Sequence, residues 1–199
     1  MGFTREELLA FHGAEVPDLV GPGVRLLLVG INPGLYSAAA GAHFARRGNR
    51  FWPALADAGV LPHVVDNAEG MSPADERLLL DRGIGITNIG RRATARADEL
   101  TREELRAGAA LLREKVRAWR PAVVAILGLT AYRAAFDEPR ALAGEQPGGL
   151  EGARLWVLPS PSGLNAHETR ASLAAAYAAP AAAAGLLPGG TTRLTTPAD

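Results

Sequence analysis

The sequence of 199 residues contains no cysteine, which excludes disulfide bonds, thiolate zinc sites and cysteine-ligated iron–sulfur clusters. Its four histidines, at positions 12, 43, 63 and 167, do not have the spacing of metal ligands, so we expect neither a metal nor another cofactor. No apolar run reaches membrane-spanning length and no signal-peptide pattern is present, which favours a cytoplasmic protein without a membrane partner.

Acidic side chains are missing from three segments, 31–56, 82–97 and 152–167, although the chain as a whole has a formal net charge of zero. Each segment follows or contains a predicted strand. If these strands are parallel, their ends meet at one positive edge of the sheet, as expected for phosphate binding. Ordinary scatter of surface charge is the alternative. The candidate phosphate contacts are Arg46, Arg47, Arg50, Arg91 and Arg92.

Short apolar runs typical of strands buried on both faces of a parallel sheet occupy 24–29, 84–89, 123–127 and 155–158. Capping residues and apolar spacing predict helices that begin at Thr4 and cover 50–58, 72–81, 101–120, 129–136 and 168–178. The alternation predicts an α/β fold, with a small, mostly parallel four-stranded sheet flanked by helices on both faces. We expect a single domain over 1–185 and a disordered tail over 186–199.

The first strand runs directly into the segment GINPG at 30–34, a turn framed by glycine and proline. At the carboxyl edge of an open α/β sheet, such a turn directs backbone N–H groups and a polar side chain into the ligand-binding crevice. That side chain, Asn32, is a neutral amide that cannot act as a base at neutral pH, but its oxygen can position water. Capping of the turn by Asn32 is the alternative. The spacing matches neither a phosphate-binding loop nor a dinucleotide fingerprint.

Two further segments carry groups suited to a flat ligand. In the long loop at 30–49, Phe44 can stack on such a ligand, and small neighbours leave room for it; anchoring of the loop to the core is the alternative. In the segment TNIG at 87–90, Asn88 offers a donor and an acceptor to the edge of a base, unless the backbone satisfies it.

The last predicted strand leads into the segment LPSPSGLN at 158–165, where two prolines stiffen the chain and Gly163 permits a tight turn. Leu164 stands at a polar loop tip. An apolar side chain in that position can act as a wedge in a base stack. The alternative is that Leu164 folds back onto the core.

Five motifs occur in one order along the chain: GINPG at 30–34, NRFW at 49–52, GITN at 85–88, AILG at 125–128 and PSGL at 161–164. Together they resemble the mismatch-specific uracil and thymine DNA glycosylases, a branch of the uracil-DNA glycosylase superfamily. The resemblance implies a monofunctional enzyme of base excision repair that flips a damaged or mispaired base from double-stranded DNA and hydrolyses its N-glycosidic bond. DNA containing such a base is the implied partner, and we expect a monomer.

The resemblance also assigns roles to single residues. Asn32 corresponds to the amide that positions the attacking water, and Phe44 to the ring that stacks on the flipped base. The other pocket positions are Ile31, Gly34, Ser37, Asn88, Thr94 and Ser160, with Ser37 beside pyrimidine C5. The wedge and the contact with the opposite strand correspond to Ser162, Gly163, Leu164 and Asn165. Because serine is a weak electrostatic partner for a departing base, we expect little from the Ser160 side chain.

These residues predict a slow catalyst that depends on a good leaving group and releases uracil faster than thymine. The alternative is a catalytically weak or inactive member that binds DNA or a free base with the same pocket. An unrelated hydrolase of esters or nucleotides is disfavoured, because the sequence has no G-x-S-x-G elbow.

Overall fold

The computed structural model of the chain describes residues 2–163, 165 and 167–187. Its sheet contains β1 (Leu26–Gly30), β2 (Ile84–Asn88), β3 (Val123–Leu127), β4 (Gly144–Leu150) and β5 (Ala153–Leu158). The order across the sheet is β2-β1-β3-β5-β4, and every neighbouring pair is parallel except β5 with β4. The predicted α/β fold with a mostly parallel sheet is therefore confirmed.

The predicted number of four strands is wrong, because the antiparallel edge strand β4 was not expected. Its sequence, GEQPGGL, contains a proline and three glycines, and its register with β5 shifts between Gln146 and Leu150. Proline and glycine are tolerated at a sheet edge, where one side of the strand needs no partner. Pairing with β5, rather than the β-propensity of its own residues, accounts for this strand.

Helices cover both faces of the sheet. In chain order they are α1 (Arg5–Leu9), α2 (Leu35–Ala40), α3 (Phe51–Asp57), α4 (Pro73–Asp81), α5 (Arg102–Trp119), α6 (Leu129–Phe136) and α7 (Arg170–Ala183). The capping residues Thr4, Ser72 and Thr101 accept hydrogen bonds from backbone N–H groups at the starts of α1, α4 and α5, as their spacing predicts. Helix α2 was not predicted and interrupts the loop that was expected over 30–49.

The core divides into two layers because successive side chains of a strand point to opposite faces. Leu26 and Leu28 of β1 pack with α3, α4 and α7, whereas Leu27 and Val29 pack with α5 and α6. All four side chains are almost completely buried. This burial on both faces explains why the central strands read as continuous apolar runs.

The end of the described chain packs closer to the core than predicted. Leu186 is buried in the core layer that contains α7, and Leu187 packs against it. The boundary expected after residue 185 is therefore too early, and the rest of the predicted tail, 188–199, lies outside the described residues. None of the helices in the described ranges is long and apolar enough to cross a membrane.

Candidate active site

A cavity of about 160 Å³ lies at the carboxyl ends of β1, β2, β3 and β5. Most of the predicted pocket residues line it: Ile31, Asn32, Gly34, Ser37, Phe44, Asn88, Thr94 and Ser160. Arg46 and Ser162 also contribute to its wall. The fold thus brings together side chains from three motifs that are far apart in the sequence, as expected for the edge of an open α/β sheet.

The amide of Asn32 is held through its nitrogen. Asn32 Nδ2 donates to Thr94 Oγ1 at 2.7 Å and to the carbonyl oxygen of Pro33 at 3.0 Å. Of the described residues, none donates a hydrogen bond to Asn32 Oδ1. The Asn32 side chain therefore caps its own turn, as the alternative interpretation expected. Its amide oxygen is also free to accept a hydrogen bond from a ligand or from water.

The hydroxyl of Thr94 determines which way the Asn32 amide points. Thr94 is buried, and its Oγ1 donates to the carbonyl oxygen of Arg96 at 2.6 Å. A carbonyl can only accept, so the single hydroxyl proton is committed to Arg96 and Thr94 Oγ1 can only accept from Asn32. The backbone supports this contact, because Thr94 N donates to the carbonyl oxygen of Pro33 at 3.2 Å.

Asn88 is oriented by the same kind of contact, this time with His43, a residue that the sequence analysis did not assign to the site. His43 is buried, and its Nε2 lies 2.9 Å from the carbonyl oxygen of Pro17. Nε2 must carry the proton of this hydrogen bond, so neutral Nδ1 accepts from Asn88 Nδ2 at 3.2 Å. Burial lowers the pKa of His43 and so favours the neutral imidazole.

The orientation of Asn88 requires a glycine at the end of β1. A side chain at Gly30 would place its Cβ 2.3 Å from Asn88 Oδ1 and 3.2 Å from the tip of the Phe44 ring. Gly30 thus lets the two predicted pocket side chains approach the strand end together.

A charged cluster packs behind Asn88. The single lysine of the chain, Lys115, contacts Asp18 Oδ2 at 2.7 Å and donates to Thr87 Oγ1 at 2.9 Å. Thr87 Oγ1 in turn donates to the Asp18 carboxylate. Because every member of this half-buried cluster has a partner, it fixes the end of β2 from which Asn88 projects.

Phe44 packs against the core and also lines the cavity. Its ring stacks on Phe51 with a centroid separation of 3.8 Å and an interplanar angle of 21°, yet the residue is only half-buried and lines the cavity. Its φ of 55° lies in the left-handed region, which costs a residue with a side chain about 1–2 kcal/mol. The surrounding contacts hold Phe44 in this strained conformation at the cavity wall.

Two small residues, Ser37 and Gly34, form another part of the cavity wall. Ser37 is buried, and its Oγ accepts from Ala45 N at 3.2 Å, which closes the turn between α2 and the following loop. A Cβ at Gly34 would meet no atom within 4 Å, so no packing contact requires glycine there. The glycine therefore leaves open space where the cavity meets solvent.

The loop 159–169 between β5 and α7 forms the other wall, and its polar residues are used to hold its own shape. Ser160 Oγ accepts from Ser162 N at 3.4 Å, and Asn165 Nδ2 donates to the carbonyl oxygen of Ser160 at 3.2 Å. Gly163 is not in a left-handed conformation; glycine is needed because a Cβ would lie 3.3 Å from the carbonyl oxygen of Gly48. Leu164, the predicted wedge, lies outside the described residues.

The five candidate phosphate contacts do not form one uniform patch. Arg46 and Arg47 are both exposed and Arg46 lines the cavity, and their contact with phosphates stays a prediction. Arg91 pairs with Glu15, and Arg92 pairs with Glu104, whose pKa it lowers to about 2. Arg50 is half-buried and donates to main-chain carbonyl oxygens, so its guanidinium is engaged within the chain, and its role as a phosphate contact stays a prediction. Charge counted along the sequence does not distinguish these environments.

Comparison with known proteins decides the family. The model of the uracil DNA glycosylase superfamily matches residues 17–181. The chain belongs to the uracil DNA glycosylase superfamily. It is also similar to the solution NMR structure of a candidate uracil DNA glycosylase from Methanosarcina acetivorans, with a TM-score of 0.53 and 18% identity over 83% of this chain and 96% of that chain. At this identity the similarity shows the fold alone, and the mismatch-specific branch stays a prediction.

The polar groups that line the cavity determine which hydrogen bonds a ligand can make there. Among its described lining residues there is no Asp or Glu, and two of its three asparagines, Asn32 and Asn88, use their amide nitrogens within the protein, which leaves their oxygens as acceptors. Within the described ranges, no group of three or more His, Asp or Glu side chains could hold a metal ion. The wall can therefore accept hydrogen bonds from water and from N–H groups without a carboxylate base.

Proposed function

We propose that the protein is a monofunctional DNA glycosylase that removes uracil, and more slowly thymine, mispaired with guanine in double-stranded DNA. The observation that carries the proposal is the Asn32 amide at the cavity wall. Its nitrogen is tied to Thr94 and Pro33, and its oxygen accepts no hydrogen bond from the described residues. This group can hold a water molecule for attack on the anomeric carbon of a flipped nucleotide.

In this mechanism the enzyme positions groups and does not abstract a proton from water before attack. As the glycosidic bond breaks, the sugar becomes cation-like and negative charge develops on the departing base. An amide has no useful pKa at neutral pH, so Asn32 aligns water while departure of the base drives the reaction. The family resemblance implies that the backbone at Ile31 and Phe44 reads the edge of the base, and backbone N–H groups fixed at a strand end suit the developing base anion.

The orientation of Asn88 supports selection of uracil or thymine. With its nitrogen bound to His43, Asn88 keeps Oδ1 as an acceptor for the N3–H of either base. Ser37 is buried and fixed by Ala45 N, so a 5-methyl group beside it meets a wall that does not yield readily. A pocket distinguishes two ligands that differ by one methyl group by about 1–3 kcal/mol. Here the difference favours uracil over thymine.

The surroundings of the cavity support binding to duplex DNA. Arg46 and Arg47 are exposed, and Arg46 lines the cavity together with Ser160 and Ser162 of the loop 159–169, where phosphates flanking a flipped nucleotide would pass. Leu164 remains the proposed wedge, and filling the vacated stack offsets part of the few kcal/mol needed to extrude a base.

The decisive experiment incubates the protein with a labelled G·U duplex and then cleaves abasic sites with alkali. We expect strand breaks with the wild type, slower breakage with a G·T duplex, and almost none with Asn32→Ala. Gln146→Ala, which removes an amide from the distant strand β4, should behave as the wild type. Duplex binding without abasic sites would instead indicate a non-catalytic member of the superfamily.

A further inference from the structure

The guanidinium of Arg50 contacts the loop 159–169 at points on both sides of its tip. It donates to the carbonyl oxygens of Ser162 at 2.6 Å and Asn165 at 2.8 Å, and also to that of Glu168. The backbone N–H of Arg50 adds a bond to the carbonyl oxygen of Pro161 at 3.1 Å. One residue thus binds four carbonyl oxygens spread over eight positions of the loop.

Hydrogen bonds between neutral groups also fix this loop. The bonds within it include Asn165 N to the carbonyl oxygen of Ser162 at 2.9 Å and a longer bond from Glu168 N to that of Asn165 at 3.5 Å. Pro159 and Pro161 have no N–H to donate. The strongest restraints on the loop therefore come from the charged donor outside it.

Arginine suits this role better than any other cation. Its planar guanidinium presents five N–H donors in a fixed fork, whereas the lysine ammonium is a compact point charge on a flexible stem. Arg50 directly precedes α3. A hydrogen bond from Phe51 N to Asn49 Oδ1 at 2.9 Å joins the residues on either side of Arg50 and so restrains its backbone. Nε of Arg50 is buried, which leaves this guanidinium poorly placed to meet a phosphate.

Neighbouring contacts seat the same loop on the segment around Arg50. Gly163 passes so close to the carbonyl oxygen of Gly48 that a Cβ would lie 3.3 Å from it. At the far end of the loop, Arg170 pairs with Asp57, with Nη2 at 2.6 Å from Oδ1. The loop is thus fastened to α3 and the residues before it along most of its length.

We propose that Arg50 is a positioning residue that holds the loop 159–169 in the shape in which it enters the base stack of duplex DNA. This inference rests on the proposed function, since it assigns that loop to insertion. It predicts that Arg50 matters for extruding a base from a duplex and matters little where no stack has to be opened. It also predicts that Arg50→Lys, which keeps the positive charge, does not preserve the positioning of the loop.

The test compares four variants, Arg50→Lys, Arg50→Met, Arg47→Lys and Arg47→Met, on the same uracil in a G·U duplex and in a single strand. Single-turnover release rates, the salt dependence of duplex affinity and hydrogen exchange of the 159–169 amides are measured for each. Arg47 is the matched control, because it is an exposed arginine three positions away. Arg50→Lys guards against misfolding of Arg50→Met, and thermal unfolding checks both.

For Arg50→Lys we expect duplex release to fall about tenfold or more, the scale of one charge-assisted hydrogen bond, while single-strand release changes little. The loop amides should exchange faster, and the salt slope should stay that of the wild type. Arg47→Lys keeps a charge that can meet a phosphate, so any loss of release should be equal on duplex and single strand, and exchange of the loop amides should not change. Arg47→Met should weaken binding to both substrates and reduce the salt slope by about one.

Two results would overturn the role of Arg50. One is full rescue by Arg50→Lys together with a reduced salt slope in Arg50→Met, which indicates a phosphate contact. The other is unchanged exchange of the loop amides in both Arg50 variants. If the wild type releases uracil from neither substrate, the proposed glycosylase function fails, and loop exchange and the salt slope still decide whether Arg50 holds the loop.

Discussion

The contact between Thr94 and Asn32 gives the sharpest prediction for catalysis. Thr94→Val removes the hydroxyl and keeps nearly the same shape, at a position that is 1% exposed. The substitution removes the 2.7 Å bond from Asn32 Nδ2 and the 2.6 Å bond to the carbonyl oxygen of Arg96. Thr94 itself lines the cavity, but valine keeps nearly the same shape, so the variant mainly changes the orientation of the Asn32 amide.

The size of the effect follows from these bonds. A neutral hydrogen bond contributes about 0.5–1.5 kcal/mol net, and each 1.4 kcal/mol of barrier is about tenfold in rate. Asn32 Nδ2 keeps the carbonyl oxygen of Pro33 at 3.0 Å as a partner, so its amide is loosened and not released. We therefore expect uracil release to slow about three- to tenfold. Stability should also fall by about 1–3 kcal/mol, because the carbonyl oxygen of Arg96 loses its donor.

The assay is single-turnover release of uracil from a G·U duplex at saturating enzyme, with unfolding in urea measured on the same preparations. Thr94→Ser restores the hydroxyl and should recover most of the rate. A Thr94→Val variant as fast as the wild type, or a Thr94→Ser variant as slow as Thr94→Val, would refute the argument that this hydroxyl orients Asn32.

Two further predictions concern stability. Burial lowers the pKa of His43 from its ordinary value of 6.5, so the unfolded chain binds this proton more readily than the folded one. The free energy of unfolding should therefore decrease as pH falls below about 6.5, and urea titrations of His43→Gln should lack that part of the slope. Gly108→Ala would place a Cβ 2.2 Å from the carbonyl oxygen of Ile89, so overpacking should outweigh the gain of about 1 kcal/mol in helix propensity. A higher urea midpoint for this variant would contradict the close packing of α5 on the chain after β2.

The elements that could be predicted are those whose pattern of apolar and polar residues directly reflects their burial in the fold. β1, β2 and β3 are buried on both faces, so their apolar runs identify them directly. β4 could not be found in this way, because its glycines and proline form a strand only through pairing with β5. Helix α2 was missed for a related reason, since its alanines fit a loop of small residues as well as a helix.

The candidate site likewise contains residues that could be predicted from the sequence and residues that could not. The rule that polar residues follow parallel strands correctly brought Asn32, Asn88 and Thr94 to one cavity. The role of Arg50 could not be determined from the sequence, because a positive residue in an acid-free segment can face a phosphate or the carbonyl oxygens of its own chain. His43 was missed because a histidine without metal-ligand spacing gives no other signal in a single sequence. Its position between two mainly apolar neighbours, Ala42 and Phe44, is the hint of burial that was available.

Two of the three asparagines that line the cavity, Asn32 and Asn88, are oriented in the same way. In each case the amide nitrogen donates to an acceptor whose own proton is committed to a carbonyl, through Thr94 for Asn32 and through His43 for Asn88. Neither amide can rotate without breaking a buried hydrogen bond, so both are held as acceptors toward the cavity. Such a wall accommodates water and the N3–H of uracil or thymine, whereas cytosine presents a bare N3 that would oppose the Asn88 oxygen. Discrimination against the normal partner of guanine therefore follows from hydrogen-bond direction, without any charged group at the cavity floor.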